Sequence, residues 1–262
     1  MRRIAFISYV VLAVIVASAQ QYNVPFRPRA AAGGAQPSQV GTMLEFDIYT
    51  TANVGTVSST ITVPALTTFV IVGVSSYAGS ANYYSGGSMT MTKGASDTAM
   101  TVAITGTGSG DESATTWGAA MFYMVAPDVG TDMSLKWDWA GTGLNQLRTK
   151  VSITFWKDVN QSTPVRGAAG GQGGANTPYT TSTITAASGD LIVAWAGAYS
   201  GAEGTCASWT NATLLTQITK HASSENDGAW ATASPTGNQT VACATDTNWD
   251  DGGIVAVSLR PN

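Results

Sequence analysis

Two stretches of this chain carry the same succession of residues: a hydroxyl-rich segment, an apolar run, a tyrosine and a glycine. The matching residues are Ser59–Thr62, Phe69, Tyr77 and Gly79 in the first copy, and Ser182–Thr185, Leu191, Tyr199 and Gly201 in the second. Both copies are rich in the β-branched and aromatic residues that form strands. A duplicated run of strands predicts a scaffold built from two similar β-units, and it constrains the fold before it suggests any chemistry.

Strand patterns account for nearly the whole chain, and no segment shows a sustained helical periodicity. Clusters of Gly, Pro, Asn and Asp separate the apolar runs, as turns require. The predicted strands are Leu44–Tyr49, Thr56–Val63, Phe69–Ser76, Met89–Lys93, Thr98–Thr105, Gly118–Val125, Met133–Trp139, Val151–Trp156, Thr180–Thr185, Leu191–Tyr199, Leu214–Ala222, Gly228–Ala233, Thr240–Ala244 and Gly253–Leu259. We therefore predict an all-β fold, an antiparallel β-sandwich of jelly-roll type whose two similar halves are interleaved.

The N-terminal segment has the pattern of a secretory signal peptide. Arg2 and Arg3 precede an apolar stretch, and Ala17-Ser18-Ala19 supplies the small residues that signal peptidase accepts. A retained membrane anchor is the alternative, but the apolar stretch is shorter than the ~20 residues that a spanning helix needs. We predict that residues 1–19 are removed and that the mature protein is secreted or held at a cell surface, with virion association as a further option.

The rest of the chain divides into an arm and a folded part. The predicted regions are residues 20–42 as an extended arm or linker, residues 43–262 as a single β-sandwich domain, and residues 43–166 and 175–262 as its repeat halves. Within the arm, Tyr22, Val24 and Phe26 alternate with other residues, which is the pattern of a strand donated to a neighbouring subunit. Gly167–Gly174 is the candidate link between the halves, or a mobile surface loop.

Charge is scarce in this sequence. Only 11% of the residues are charged, the formal net charge is −4 and the pI is near 4.8. Typical soluble domains have ~25% charged residues, and proteins that bind nucleic acid carry a basic surface. The composition therefore argues against DNA or RNA as partners. It favours contacts with the chain's own subunits, with other surface or virion proteins, or with glycans.

The two cysteines, Cys206 and Cys243, both lie in the second half of the chain. An oxidising compartment outside the cell would allow them to form one disulfide. Two buried free thiols are the alternative, because the geometry of the fold decides whether the side chains meet. We predict the disulfide.

Several short motifs resemble those of a known group of proteins. They are Met89–Thr92, Ala126-Pro127 with Gly130, Val159–Pro164 after an aromatic strand, Gly189–Val193 and the closing Val255–Pro261. In these motifs the chain resembles a broad group of exported bacterial and phage-borne β-sandwich proteins of jelly-roll or concanavalin-like type. That group commonly has aspartate where Asn160 stands. The resemblance extends over residues 43–262 and implies a surface, appendage or virion-associated module, without implying an enzyme or a ligand.

Candidate catalytic residues are few. His221 is the single histidine, and no zinc-ligand spacing surrounds it. A lone imidazole on a predicted strand favours a structural role. The acids available to a hydrolase are Glu45, Glu112, Glu203 and Glu225, with scattered aspartates. We predict a protein without catalytic residues, and a glycan-acting hydrolase is the last alternative.

One acidic loop has the composition of a cation site. Asp246, Asn248, Asp250 and Asp251 precede two glycines and offer several oxygen ligands, which suits a hard cation such as Ca²⁺. Asp251 holds the place of the glycine of an EF-hand loop, and no glutamate closes the loop. An acidic turn before the last strand is the alternative. Calcium is therefore the one candidate cofactor.

Trp137, Asp138 and Trp139 form the candidate carbohydrate site. The two indoles alternate on one predicted strand, so they would face the same side. Exposed indole faces beside acidic side chains stack against sugars, and the triplet therefore favours a lectin-like function. Burial in the sandwich core is the alternative, because such interiors accept large aromatic side chains.

The sequence as a whole favours a non-enzymatic structural or adhesive module of a cell surface, an extracellular filament or a virion. A lectin-like carbohydrate-binding protein is the alternative function. Asn160, Asn211 and Asn238 each begin an N-x-S/T sequon, which matters only in a host that glycosylates exported proteins.

Overall fold

The computed structural model describes residues 34–50, 56–78, 88–94, 96–104, 116–138, 147–173, 177–199, 204–218, 226–246, 249 and 251–262. In these ranges every regular element is a β-strand, which confirms the all-β prediction. The strands are β1 (Ser38–Gln39), β2 (Leu44–Thr50), β3 (Thr56–Val63), β4 (Phe69–Ala78), β5 (Ser88–Lys93), β6 (Ser96–Ala99), β7 (Thr101–Ile104), β8 (Thr116–Val125), β9 (Gly130–Asp138), β10 (Leu147–Lys157), β11 (Val165–Gly173), β12 (Tyr179–Thr180), β13 (Leu191–Tyr199), β14 (Cys206–Thr210), β15 (Thr213–Ile218), β16 (Asn226–Ala233), β17 (Ala242–Thr245) and β18 (Asp251–Leu259). None of the described residues belongs to a helix that is long and apolar enough to cross a membrane.

The strands form four antiparallel sheets. Two of them face each other and are called the inner sheets, and each inner sheet is covered on its other face by one outer sheet. The first inner sheet has the order β10-β4-β8-β7, with β1 and β2 both along the other edge of β10. The first outer sheet has the order β3-β9-β5-β6. The second inner sheet has the order β11-β18-β13-β16-β15, and the second outer sheet has the order β12-β17-β14. Each half of the chain therefore builds one inner and one outer sheet.

The two halves repeat one topology. The order β10-β4-β8-β7 in the first inner sheet matches β18-β13-β16-β15 in the second, and β3-β9-β5 matches β12-β17-β14 in the outer sheets. Each sheet takes all of its described strands from one half, so the predicted interleaving of the halves does not occur among these strands. Strands that are close in sequence usually lie close together in space. Each repeat consequently completes its own sandwich.

Three apolar clusters hold the four sheets together as successive layers. The first cluster fills the first sandwich, where Val72 and Phe122 of the inner sheet meet Met91 and Leu135 of the outer sheet. The second cluster fills the second sandwich, and there the inner strands contribute mainly alanines. The third cluster joins the two inner sheets face to face. Because side chains alternate along a strand, β4 supplies one row to the first cluster and the other row to the third.

The inner sheets face each other with an approximate two-fold relation. β4 packs against its counterpart β13, β8 packs against β18, and β10 packs against β16. Gly73 and Trp195, the fifth residues of β4 and β13, lie against each other, and so do Ser75 and Gly197, the seventh residues. Equivalent positions therefore meet at the centre, as in a dimer whose two subunits belong to one chain.

The glycine-rich segment that was predicted to link the halves is a strand. Gly167–Gly173 belongs to β11, which pairs with β18 along its length. A β-carbon built at Gly171 would overlap the backbone of Thr180, and one at Gly167 would lie 2.6 Å from the carbonyl oxygen of Thr185. The glycines are needed because the chain crosses directly over this strand. The prediction of a linker or mobile loop was therefore wrong for residues 167–173.

The predicted N-terminal arm is bound to the folded part from residue 34 onward. Ser38 and Gln39 pair with Lys157 and Trp156, and the Val40 amide donates to the Phe155 carbonyl at 2.8 Å. This stretch therefore belongs to the first inner sheet. The remaining residues of the arm, with Tyr22, Val24 and Phe26, lie outside the described ranges, as does the predicted signal peptide.

Most predicted strands occur within a few residues of their expected bounds. β3 and β13 match exactly, and the predicted strand 98–105 is divided between two sheets at Met100. The pattern missed β1, β11 and β14, which are short or rich in glycine. It also began β10 at Val151, four residues after its true start at Leu147.

Candidate functional site

Trp137, the first residue of the candidate carbohydrate site, is a core residue. Its side chain is 2% exposed and belongs to the first cluster. The indole packs edge-on against Phe122, with 5.3 Å between the ring centroids. A buried indole has no free face for a sugar, so the alternative of core packing holds for this residue.

The structure does not describe the side chains of the other two residues of that site. Asp138 ends β9 opposite Thr56 and Ser88, and its side chain and Trp139 lie outside the described residues. Carbohydrate binding by Asp138 and Trp139 stays a prediction.

The candidate calcium loop is described only in part. Asp246 follows β17, and its Oδ2 atom accepts hydrogen bonds from the Thr205 amide at 2.8 Å and the Thr205 hydroxyl at 2.9 Å. Asn248, Asp250 and the side chain of Asp251 lie outside the described ranges. Within those ranges no group of three or more His, Cys, Asp or Glu residues is arranged to hold a metal ion. One oxygen of Asp246 thus fastens the segment before β14, and calcium stays a prediction.

Cys206 and Cys243 form the predicted disulfide. They lie on the adjacent strands β14 and β17, with 5.5 Å between their Cα atoms. Both are buried in the second cluster, where alanines supply most of the inner-sheet surface. Small side chains bury less apolar area than the valines and phenylalanines of the first sandwich. The disulfide therefore reinforces the sandwich with the smaller apolar side chains.

Removing this disulfide is expected to lower the free energy of unfolding by about 2–4 kcal/mol. The double variant Cys206→Ala/Cys243→Ala would free a loop that spans 37 residues, and alanine avoids burying a new hydroxyl. Guanidinium chloride unfolding of the variant and the parent measures the difference. Two titratable thiols in the denatured parent without reductant would contradict the bond.

An ion pair between the half-buried Arg166 and a buried carboxylate, which the sequence pattern did not reveal, lies at the start of β13. Asp190 is 1% exposed and accepts from Arg166 Nε at 2.6 Å and Nη2 at 3.1 Å. It also accepts from the Ala187 amide and the Ser258 hydroxyl, each at 2.9 Å. The hydrogen bond with Asp190, together with its charge, raises the pKa of the Arg166 guanidinium against the opposing effect of burial. Arg166 therefore stays charged around neutral pH, and the pair fastens β11 to the turn before β13.

Two other polar residues are buried without a signal in the sequence. Asp227 on β16 accepts a hydrogen bond from the Gly204 amide at 2.7 Å, which holds the start of the segment before β14. Lys150 is buried on β10 opposite Ser75 of β4. Lysine was not expected inside a strand whose predicted start was Val151. From the sequence, buried positions of a strand can be recognised only where apolar residues alternate with polar ones, and a buried lysine or aspartate does not fit that pattern.

The contact between the two inner sheets is closely packed. Trp195 and Trp230 are fully buried there, with 5.0 Å between their ring centroids. Trp230 Nε1 donates to the Ser152 hydroxyl of the other half at 2.7 Å. Trp195 occupies the space above Gly73, where a β-carbon would lie 2.7 Å from its Cγ atom. The indole of Trp195 in the second half therefore fills the space beside Gly73, the equivalent position in the first half.

The remaining sequence candidates have structural contacts or lie outside the described part. Glu45 is on β2, whereas His221, Glu112, Glu203 and Glu225 are not described. Asn160 Oδ1 accepts from the amides of the next turn, Asn211 Nδ2 donates to the Thr240 carbonyl at 3.0 Å, and Asn238 Oδ1 accepts from the Ala186 amide at 3.0 Å. The asparagine of each sequon thus stabilises a turn or joins two segments.

No protein-family model matches this chain, and a search of curated proteins finds no significant match. The function is therefore argued from the arrangement of its own residues. Among the described side chains, Asp190, Asp227 and Asp246 each join one part of the fold to another.

Proposed function

We propose that this protein is an exported, non-enzymatic structural or adhesive module of a cell surface, an extracellular filament or a virion. The observation that carries the proposal is the joining of the two sandwiches through their inner sheets, with Trp195, Trp230 and Ser152 buried between them. Each inner sheet is covered on both faces, so the halves form one closely packed block. A stiff block with few surface charges suits a repeated building element.

The hydrogen bonds of three described aspartates support this proposal over the hydrolase alternative. Asp190 binds Arg166, Asp227 binds the Gly204 amide, and Asp246 binds Thr205. Glycoside hydrolysis needs two carboxyl groups that face a substrate. These three carboxylates face other parts of the protein instead.

The lectin-like function stays the alternative, and the burial of Trp137 does not support it. Sugar binding would have to depend on residues other than this indole, because its side chain lies in the first cluster. The resemblance to exported β-sandwich proteins agrees with the structural proposal. The low fraction of charged residues also favours contacts between protein surfaces rather than steering of an ionic ligand.

The proposal predicts that the mature chain assembles into filaments or rings. Residues 20–262 and 34–262 should be compared by size-exclusion chromatography and negative-stain electron microscopy, because the shorter chain keeps Ser38–Gln39, which pair in the first inner sheet. We expect ordered assemblies from residues 20–262. Their loss in the shorter chain would identify residues 20–33 as the contact, and their persistence would assign the contact to the folded part. A monodisperse monomer in both forms would contradict self-assembly.

A further inference from the structure

Two turns lie side by side at one end of the first sandwich. Residues 64–67 join β3 to β4, and residues 126–129 join β8 to β9. β3 pairs with β9 so that Val63 lies opposite Gly130, and these two residues directly adjoin the turns. The turns therefore form one continuous surface.

The exposed side chains of this surface are apolar. Leu66 is 73% exposed and Val129 is 50% exposed, the highest values among the large apolar side chains of the described residues. Small apolar residues continue the surface beside them. We call the exposed set the apolar tip, and it consists of Ala65, Leu66, Ala126 and Val129.

The second repeat has the same two turns with polar residues. Ser188 stands three residues before β13, as Leu66 stands three residues before β4. Ser234 directly follows β16, as Ala126 directly follows β8. Both serines are exposed. A polar side chain therefore suits these positions of the fold, and the apolar tip is particular to the first repeat.

The backbone of Leu66 has a conformation that is uncommon for leucine. The Thr67 amide donates to the Pro64 carbonyl at 3.3 Å, which makes Leu66 the third residue of a β-turn, with φ 71°. Glycine or asparagine usually occupies such a position, and Gly189 has the positive φ in the turn of the second repeat. The exposed leucine side chain gains no burial to offset this cost. An outlier of this kind indicates a contact that the described residues do not supply.

The N-terminal segment enters the fold at the same end of the molecule. Gly34 lies against Asn262, whose amide donates to the Asp158 carbonyl at 2.9 Å, directly after β10. Seven residues later the chain lies against the first turn, since a β-carbon at Gly41 would lie 2.6 Å from Pro64 Cγ. The chain before Gly34 therefore starts close to the apolar tip.

The length of that chain is sufficient to reach the apolar tip. Seven extended residues span at most about 25 Å, so the first turn lies within about that distance of Gly34. Phe26 precedes Gly34 by eight residues, which span up to about 29 Å. Phe26 follows Tyr22 and Val24 in the alternating apolar pattern of this segment. Its ring can consequently reach Leu66 and Val129 of its own chain.

We propose that residues 20–33 fold back over the apolar tip of the same chain, with Phe26 covering Leu66 and Val129. Removal of these side chains from water drives the contact. The covalent connection at Gly34 holds the segment at a high effective concentration, so a small apolar contact is sufficient. This inference goes beyond the proposed structural function, because it concerns a contact within one chain.

Photo-crosslinking from position 26 tests this contact. In residues 20–262, Phe26 is replaced with p-benzoylphenylalanine, which bonds to neighbouring C–H groups under ultraviolet light. Electrophoresis separates crosslinks within one chain from crosslinks between chains, and mass spectrometry identifies the partner residues. We expect a monomeric product joined to residues 64–67 or 126–129. The double change Leu66→Ser/Val129→Ser should abolish it.

Val102→Ser is the matched control for the apolar tip. Val102 is 46% exposed and lies on β7, at the opposite edge of the first inner sheet from β1, so this variant should keep the crosslink. Leu66→Gly removes the side chain and suits the positive φ, so it should also abolish the crosslink in a chain that near-UV circular dichroism shows to be folded.

A crosslink to other parts of the chain, or one that is unchanged in both tip variants, would overturn the docking. Crosslinked dimers joined at the same two turns would also overturn it, and would show that the segment is donated to a neighbouring copy. Each of these failures leaves the proposed structural function standing, because that function is tested by the assembly of the chain.

Discussion

Replacing Trp195 with alanine is expected to lower the free energy of unfolding by about 3–5 kcal/mol. The side chain is fully buried between the two inner sheets, beside Trp230 and above Gly73. Its removal would leave a cavity at the centre of the contact between the halves. The midpoint of guanidinium chloride unfolding measures the loss. Trp195→Phe should cost much less, because the ring is partly kept and the indole N–H of Trp195 makes no hydrogen bond within the described structure.

Gly73, which lies opposite Trp195, provides a test of why Trp195 stabilises the protein. A β-carbon at Gly73 would lie 2.7 Å from Trp195 Cγ and 2.8 Å from Trp230 Cζ2, so Gly73→Ala is expected to cost about 1–3 kcal/mol. In the Trp195→Ala background the same change should cost less, because one of the two colliding indoles is gone and the cavity gives Trp230 room to move. Gly237→Ala is the control, since a β-carbon there would have no neighbour within 4 Å. Additive costs for Gly73→Ala and Trp195→Ala would show that the fit between the halves is not the source of stability.

Asp190→Ala is expected to lower the free energy of unfolding by about 1–3 kcal/mol, because the buried Ser258 hydroxyl loses its acceptor, whereas the Arg166 side chain is 31% exposed and can be hydrated. The change would leave the Arg166 guanidinium, the Ser258 hydroxyl and the Ala187 amide without their acceptor. Thermal and denaturant unfolding of the variant would measure the effect. It should be similar at pH 6 and pH 8, because Arg166 keeps its charge over this interval and its pKa is raised.

An exposed ion pair provides the comparison for Asp190. Asp97 pairs with Lys136 at the surface, with side chains 40% and 37% exposed, so Asp97→Ala should cost at most about 1 kcal/mol. Ser258→Ala should fall between the two changes, since it removes a single hydrogen bond to Asp190. Equal costs for Asp97→Ala and Asp190→Ala would contradict the structural role of the buried carboxylate.

Local patterns predicted the strands well where both the propensity and the flanking turns agreed. β3 and β13 were predicted with their exact bounds because β-branched runs end there at proline or glycine-containing turns. β11 was missed because glycine is depleted in strands. Its glycines are needed because the backbone that crosses β11 leaves no room for a β-carbon. A close approach between segments distant in sequence leaves no local pattern.

The candidate sites show the same limit. Alternation along β9 predicts which residues share a side with Trp137, but the packing of the outer sheet on the inner sheet decides that this side is the core. The cysteine pair was predicted from the expected compartment, and the pairing of β14 with β17 brings Cys206 and Cys243 together. Asp190 gave no such signal, because its partners Arg166 and Ser258 lie far from it in sequence.

The sequence by itself determined the strand class, the repetition of one β-unit and the low fraction of charged residues, because these depend on residue type and spacing along the chain. Only the tertiary structure decided that the repeats form two separate sandwiches and that their inner sheets meet at Trp195 and Gly73. Those features depend on which faces pack together. Packing depends on the shapes of surfaces brought together from distant parts of the chain, and no local pattern records them.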